Sequence, residues 1–141
     1  MRVVFDLDNT LRDSTIADHA APTWNDQTTE DWLPWQMIAN YGDPIPHMVE
    51  MFNMCVSAGL EVHVVTSSQH GTAKWLEDNG LNAHTVVERE SGDNRSPYDY
   101  KRDYLTENYT SIHMWFDDDM KVCKFAKSLG VNVYHVNKVT V

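Results

Sequence analysis

Five short runs rich in β-branched residues alternate with amphipathic stretches along this chain, and that alternation restricts its fold more than any other feature. Arg2 to Phe5, Glu61 to Val65, Thr85 to Val87, Ser111 to Phe116 and Val131 to Val136 read as strands. Between them, Pro46 to Ala58, Gly71 to Asn79, Tyr98 to Glu107 and Met120 to Leu129 carry helical spacing. Gly59, Gly80 and Gly130 stand where helices stop. Alternation of this kind builds a mainly parallel five-stranded sheet between helices, a doubly wound α/β fold. Ligands of such sheets gather outside the carboxyl ends of the strands, so the chemistry is expected there.

The rhythm breaks once, over residues 12 to 43, a stretch holding Trp24, Trp32 and Trp35 in which only about Thr29 to Asn40 reads as helix. It reads as a short insertion after the first strand, its tryptophans packing the insertion onto its own domain in preference to stacking on a ligand. With 141 residues and no composition break, the chain reads as a single domain over 1–141. No GxxxxGK[ST] loop is present, which leaves out an ATP-dependent kinase half.

The first strand runs into Asp6-Leu7-Asp8-Asn9-Thr10-Leu11, which puts two carboxylates two residues apart on one side of extended chain. Thr66 ends the second strand with a hydroxyl beside Ser67, Lys101 falls in a later helix, and Asp117-Asp118-Asp119 end the fourth strand. An anionic nucleophile approaching an anionic phosphate needs positive charge between them. Mg²⁺ held by Asp6, the backbone carbonyl of Asp8, and Asp117, with Asp118 in support, would provide it, and Lys101 would add a second cation. Thr66 would hold a non-bridging oxygen for in-line attack by Asp6, and Asp8 would protonate the leaving alkoxide and later activate water.

The run Asp6-Leu7-Asp8-Asn9-Thr10-Leu11 resembles the first motif, DxDxTL, of the haloacid dehalogenase (HAD) superfamily, and Thr66, Lys101 and Asp117-Asp118 resemble its second, third and fourth motifs in order. The resemblance implies a Rossmann-like HAD fold without a large cap and a Mg²⁺-dependent phosphomonoesterase with an aspartyl-phosphate on Asp6. A narrower similarity runs through Arg89-Glu90-Ser91-Gly92-Asp93-Asn94-Arg95 to the phosphatase domain of phage polynucleotide kinase-phosphatases. It implies a 3′-phosphate of a nucleic-acid end or a nucleotide as substrate, and adds Ser67 and Arg89 to Thr66 and Lys101 as substrate-binding residues. That family often has Arg where this chain has Ser68, and Asp-Asp-Arg where it has Asp117-Asp118-Asp119, so two cations that would grip an anionic substrate are missing.

A net charge of −10 disfavours extensive binding to a nucleic-acid backbone and leaves contact with a strand end. The seven histidines show no HxxxH or HExxH spacing, so no zinc site is expected. Cys55 and Cys123 read as free buried thiols. The first apolar run leads straight into the acidic motif and no stretch reaches membrane-spanning length, giving the expectation of a cytoplasmic protein. A small-metabolite phosphatase, and an idle HAD scaffold that binds a partner, remain alternatives; the retained Asp6 and Asp8 argue against the scaffold.

Overall fold

A computed structural model describes residues 1–137. The strands β1 (Arg2–Phe5), β4 (Glu61–Thr66), β5 (Thr85–Glu88), β6 (Ile112–Asp117) and β7 (Asn132–His135) form one sheet in the order β5-β4-β1-β6-β7, every pair parallel. Between the strands run α2 (Pro46–Ser57), α3 (Thr72–Asp78), α4 (Pro97–Asn108) and α5 (Met120–Ser128). The α/β architecture inferred from the sequence is therefore present, with boundaries displaced by a residue or two.

Alternate side chains of the strands face opposite sides, and each side has its own core. Val3, Phe5, Val62, Val64 and Phe116 pack with Phe52 of α2 and Trp75 of α3. On the other side Val4, Val65 and Trp115 pack with Leu105 of α4 and Val122 and Ala126 of α5. Phe5 stacks flat on Phe116 at 4.5 Å, which holds the carboxyl ends of β1 and β6 side by side. Chain order reverses between these two strands, and in open α/β sheets the ligand crevice forms at that reversal. Cys55 and Cys123 are buried and free, and burial pushes both thiols up, that of Cys123 to about 12.

The insertion contains a 3-10 helix (Thr15–Ala20) and α1 (Leu33–Ala39), and its ends are joined by an antiparallel pair, β2 (Arg12–Asp13) with β3 (Asp43–Pro44). Gly42 permits that closure, because a Cβ there would lie 2.4 Å from the Asp13 carbonyl. The helix starts at Leu33 and not near Thr29. Ahead of it the N–H groups of Asp31, Trp32 and Leu33 donate three residues back, to the carbonyls of Thr28, Thr29 and Glu30, so this stretch is wound in tighter turns, and the Thr29 backbone is also held from outside by Asn94 Oδ1 and Gln69 Nε2. Among the described residues, no helix is long and apolar enough to cross a membrane.

Candidate active site

Beyond β1 the backbone turns sharply. The N–H groups of Thr10, Leu11 and Arg12 all donate to the Leu7 carbonyl, at 3.2, 2.9 and 2.9 Å. Asn9 takes φ 61, the left-handed conformation that Asn tolerates better than most residues. Asp6, just before the turn, is 4% exposed, and its N–H donates to the Phe116 carbonyl at 2.9 Å. One oxygen of its carboxylate accepts from Thr10 Oγ1 at 3.0 Å and the other from Lys101 Nζ at 2.6 Å.

Lys101 reaches this point from α4 and also donates to Asp117 Oδ2 at 2.9 Å. Asp117, fully buried at the end of β6, is fixed further by the Trp115 indole N–H at 3.2 Å and by the Asp119 N–H at 3.0 Å. Oxygens of Asp6, Asp117 and Asp118, one from each, all lie within 4.8 Å of one another. Asp119 has separate work: its carboxylate caps α5 by accepting from the N–H groups of Lys121 and Val122.

Burial, then the proximity of Asp117, raises the Asp6 pKa well above the usual carboxylate value, although Lys101 opposes the shift. Burial likewise raises Asp118. Burial pushes the Lys101 pKa down, but the carboxylates of Asp117 and Asp6 outweigh it and hold the ammonium above the ordinary lysine value. Three clustered carboxylates against one ammonium leave excess negative charge in a poorly solvated place. Such a set of hard oxygen donors fits a divalent cation such as Mg²⁺.

The Asp8 side chain stands apart from that cluster. One of its oxygens accepts from Arg12 Nε at 2.9 Å and Nη2 at 2.7 Å and from the Ser14 hydroxyl in a short hydrogen bond; the other accepts from Ser68 Oγ at 2.5 Å. Arg12 lies wholly buried, its guanidinium 5.6 Å above the Trp75 ring and its Nη1 donating to Asn40 Oδ1.

Thr66 ends β4 almost fully buried, its Oγ1 accepting from the Ser68 N–H at 3.0 Å, which leaves the hydroxyl proton available to an incoming oxygen. The Ser67 carbonyl accepts from Arg89 Nε at 2.8 Å. Arg89 spends further N–H groups on the carbonyls of Asp93 and Arg95 and stacks on Tyr100, so it braces the 89–95 loop. Asp8, Ser67, Ser68 and Arg89 also line a cavity of about 490 Å³ whose other walls come from the insertion, Gln69 and residues 93–97.

Of the residues singled out in the sequence, Asp6, Lys101, Asp117 and Asp118 thus meet in one cluster, and Asp8, Ser67 and Arg89 border the adjoining cavity. Sequence reasoning missed the supports: Thr10, Arg12, Ser14 and Ser68. Thr10, four residues after Asp6 in the motif, was legible. At position 68 the sequence pattern shows only the absence of an Arg, whereas the Ser68 hydroxyl holds Asp8.

No protein-family model matches the chain, and no curated protein matches it in sequence. Solved structures do resemble it. A chain of the Pnkp1/Rnl/Hen1 complex superposes with TM-score 0.72 at 17% identity, covering 99% of this chain and 47% of that one. A chain of the Pnkp1/Rnl/Hen1 RNA repair complex gives 0.71 at 17%, covering 96% and 42%. This chain therefore spans less than half the length of either. A HAD family enzyme from Bacteroides thetaiotaomicron, in complex with magnesium and inorganic phosphate, gives 0.58 at 10%, covering 99% and 96%. The likeness shows the fold, an α/β Rossmann-like sheet between helices, similar to that of a HAD family enzyme.

Proposed function

We propose that this chain is a HAD-superfamily, Mg²⁺-dependent phosphomonoesterase that forms an aspartyl-phosphate on Asp6 and acts on the 3′-phosphate of a nucleic-acid end or a nucleotide. The observation that carries the reading is the buried Asp6 carboxylate, held between Thr10 Oγ1 at 3.0 Å and Lys101 Nζ at 2.6 Å beside the oxygens of Asp117 and Asp118. Its similarity in fold to a chain of an RNA repair complex supports the nucleic-acid end or nucleotide as substrate.

Asp6 attacks phosphorus through a carboxylate oxygen, and the bond from phosphorus to the leaving oxygen breaks. Asp8 gives that oxygen a proton, then takes one from the water that attacks the aspartyl-phosphate, releasing phosphate and restoring Asp6. Lys101 lowers the repulsion between nucleophile and phosphoryl oxygens. Thr66, with its hydroxyl proton available, and Ser67 hold a non-bridging oxygen; Arg89 keeps the Ser67 carbonyl and the 89–95 loop in place around them. When bound by Asp6, Asp117, Asp118 and the main-chain carbonyl of Asp8, Mg²⁺ supplies positive charge that neutralises phosphoryl oxygens.

Phosphate release from a panel of 3′-phosphorylated oligonucleotides, 3′-nucleotides and sugar phosphates tests the reading. Turnover of the 3′-phosphates above the sugar phosphates is expected. Turnover of sugar phosphates alone would replace the nucleic-acid substrate with a small metabolite, and release from none would remove the activity.

A further inference from the structure

We propose that the cavity beside Asp8 is a subsite for one nucleobase of the leaving group, stacked against the tryptophans of the insertion. The inference rests on the phosphomonoesterase reading for the place of the phosphate. The cavity itself stands on independent geometry. It shares Asp8, Ser67 and Ser68 with the reacting centre, and Trp24, Trp32 and Trp35 line the wall that the insertion provides, with residues 93–97 closing another side. Its volume of about 490 Å³ is that of a small-ligand site.

The three rings are not part of either core. Neither cluster of buried apolar side chains includes them; Trp24 is 55% exposed, and Trp32 and Trp35 are half-buried. This corrects the expectation that they pack the insertion onto its domain. Polar groups anchor it instead: besides the two bonds of the Thr29 backbone, Thr29 Oγ1 accepts from the Gly92 N–H and Gln36 Oε1 from the Gln69 N–H. Thr29, Gln36 and Gln69 are all buried, so these bonds are shielded from water and the wall they hold is preformed.

The ring orientations are fixed in the same way. The indole N–H of Trp32 donates to Gln27 Oε1 at 3.1 Å and that of Trp24 to Asp31 Oδ2 at 3.3 Å. Trp32 and Trp35 meet edge to face, with centroids 5.5 Å apart and planes at 82°. With their edges tied, Trp24 and Trp32 offer a ligand ring surface at little further ordering cost.

Charge selects a neutral flat ring over a second phosphate. Asp8, Asp26 and Asp93 all line the cavity, and its two guanidinium groups are already engaged. Arg89 donates to three carbonyls, and Arg95 pairs with Asp93 and Asp103. A base one sugar away from the scissile phosphate meets these requirements, because its π-face stacks on indole whatever its identity.

The test combines binding and turnover in the full chain. Adenosine, which has no phosphate to lose, should quench tryptophan emission saturably in wild type, with the quenching weakened in Trp24→Ala and Trp32→Leu. Trp24 is exposed enough for its variant to fold, which circular dichroism checks. In turnover, both variants should lose roughly 5- to 150-fold in kcat/KM on adenosine 3′-phosphate, the range of base–aromatic stacking. They should keep wild-type kcat/KM on glycerol 2-phosphate, which has no ring. Equal losses on both substrates, or none on either, would overturn the subsite while leaving the phosphatase reading intact. If no phosphomonoester is turned over, that reading fails and the titration still decides the subsite: quenching that weakens in both variants upholds it, and absence of quenching overturns it.

Discussion

The buried Arg12 guanidinium forks onto a single oxygen of Asp8, through Nε at 2.9 Å and Nη2 at 2.7 Å, across a turn of only four residues. The pair joins the catalytic loop to the insertion, since Nη1 of the same guanidinium donates to Asn40 Oδ1. Asp8 is thus positioned by the residue at which the insertion begins.

Removing one partner of a buried pair leaves the other charge without compensation. Arg12→Ala is accordingly expected to destabilise the fold by about 3 kcal/mol or more. Arg12→Lys keeps the charge but loses the fork, and should fall between the two. Urea unfolding midpoints rank the three chains, and kcat should fall in the same order. Wild-type stability in Arg12→Ala would show that the pair carries no weight.

Metal dependence follows from three clustered carboxylates facing one ammonium. Phosphatase activity should vanish in EDTA and return with Mg²⁺. Ca²⁺ should bind and inhibit, because its larger, more flexible coordination shell misplaces nucleophile and phosphate. Full activity in EDTA would rule the metal site out.

The net charge of −10 bears on how much of a strand the protein can hold. Contact limited to the terminal one or two nucleotides predicts that kcat/KM barely rises with oligonucleotide length. The salt slope should be shallow, unlike the roughly 10³–10⁵-fold loss between about 50 and 200 mM salt of proteins that contact some 6–10 phosphates. Comparing 3′-phosphorylated oligonucleotides of rising length with the 3′-mononucleotide at two salt concentrations checks this. A steep gain with length together with a steep salt slope would contradict terminal contact.

Strand positions and the acidic cluster were legible because both follow from local pattern, whereas the order β5-β4-β1-β6-β7 is set by how the elements pack. Apolar runs fix the strands, and a carboxylate just past the end of one strand meets another at the end of its neighbour once the sheet is parallel. What stayed hidden depends on side chains that double back. Arg12 carries no periodic signal, and its role arises only because Asn9 turns left-handed and swings it onto Asp8. α1 begins later than the pattern suggests because the residues before it are wound in i→i+3 turns, and Asn94 and Gln69, both distant in sequence, add bonds to Thr29 that no local pattern announces. The three tryptophans have the same spacing whether they fill a core or wall a cavity, so only the fold could separate those uses.

The central claim is that Asp6 takes the phosphoryl group. It is tested most directly by quenching the reaction in acid, with a radiolabelled 3′-phosphorylated substrate and Mg²⁺, and following the label on the protein. Wild type is predicted to carry labelled phosphate on the peptide containing Asp6, as an acyl phosphate cleaved by hydroxylamine. Asp6→Asn should fold normally, carry no label and release no phosphate, because an amide is no useful nucleophile. Phosphate release at the wild-type rate by a folded Asp6→Asn chain would contradict the account.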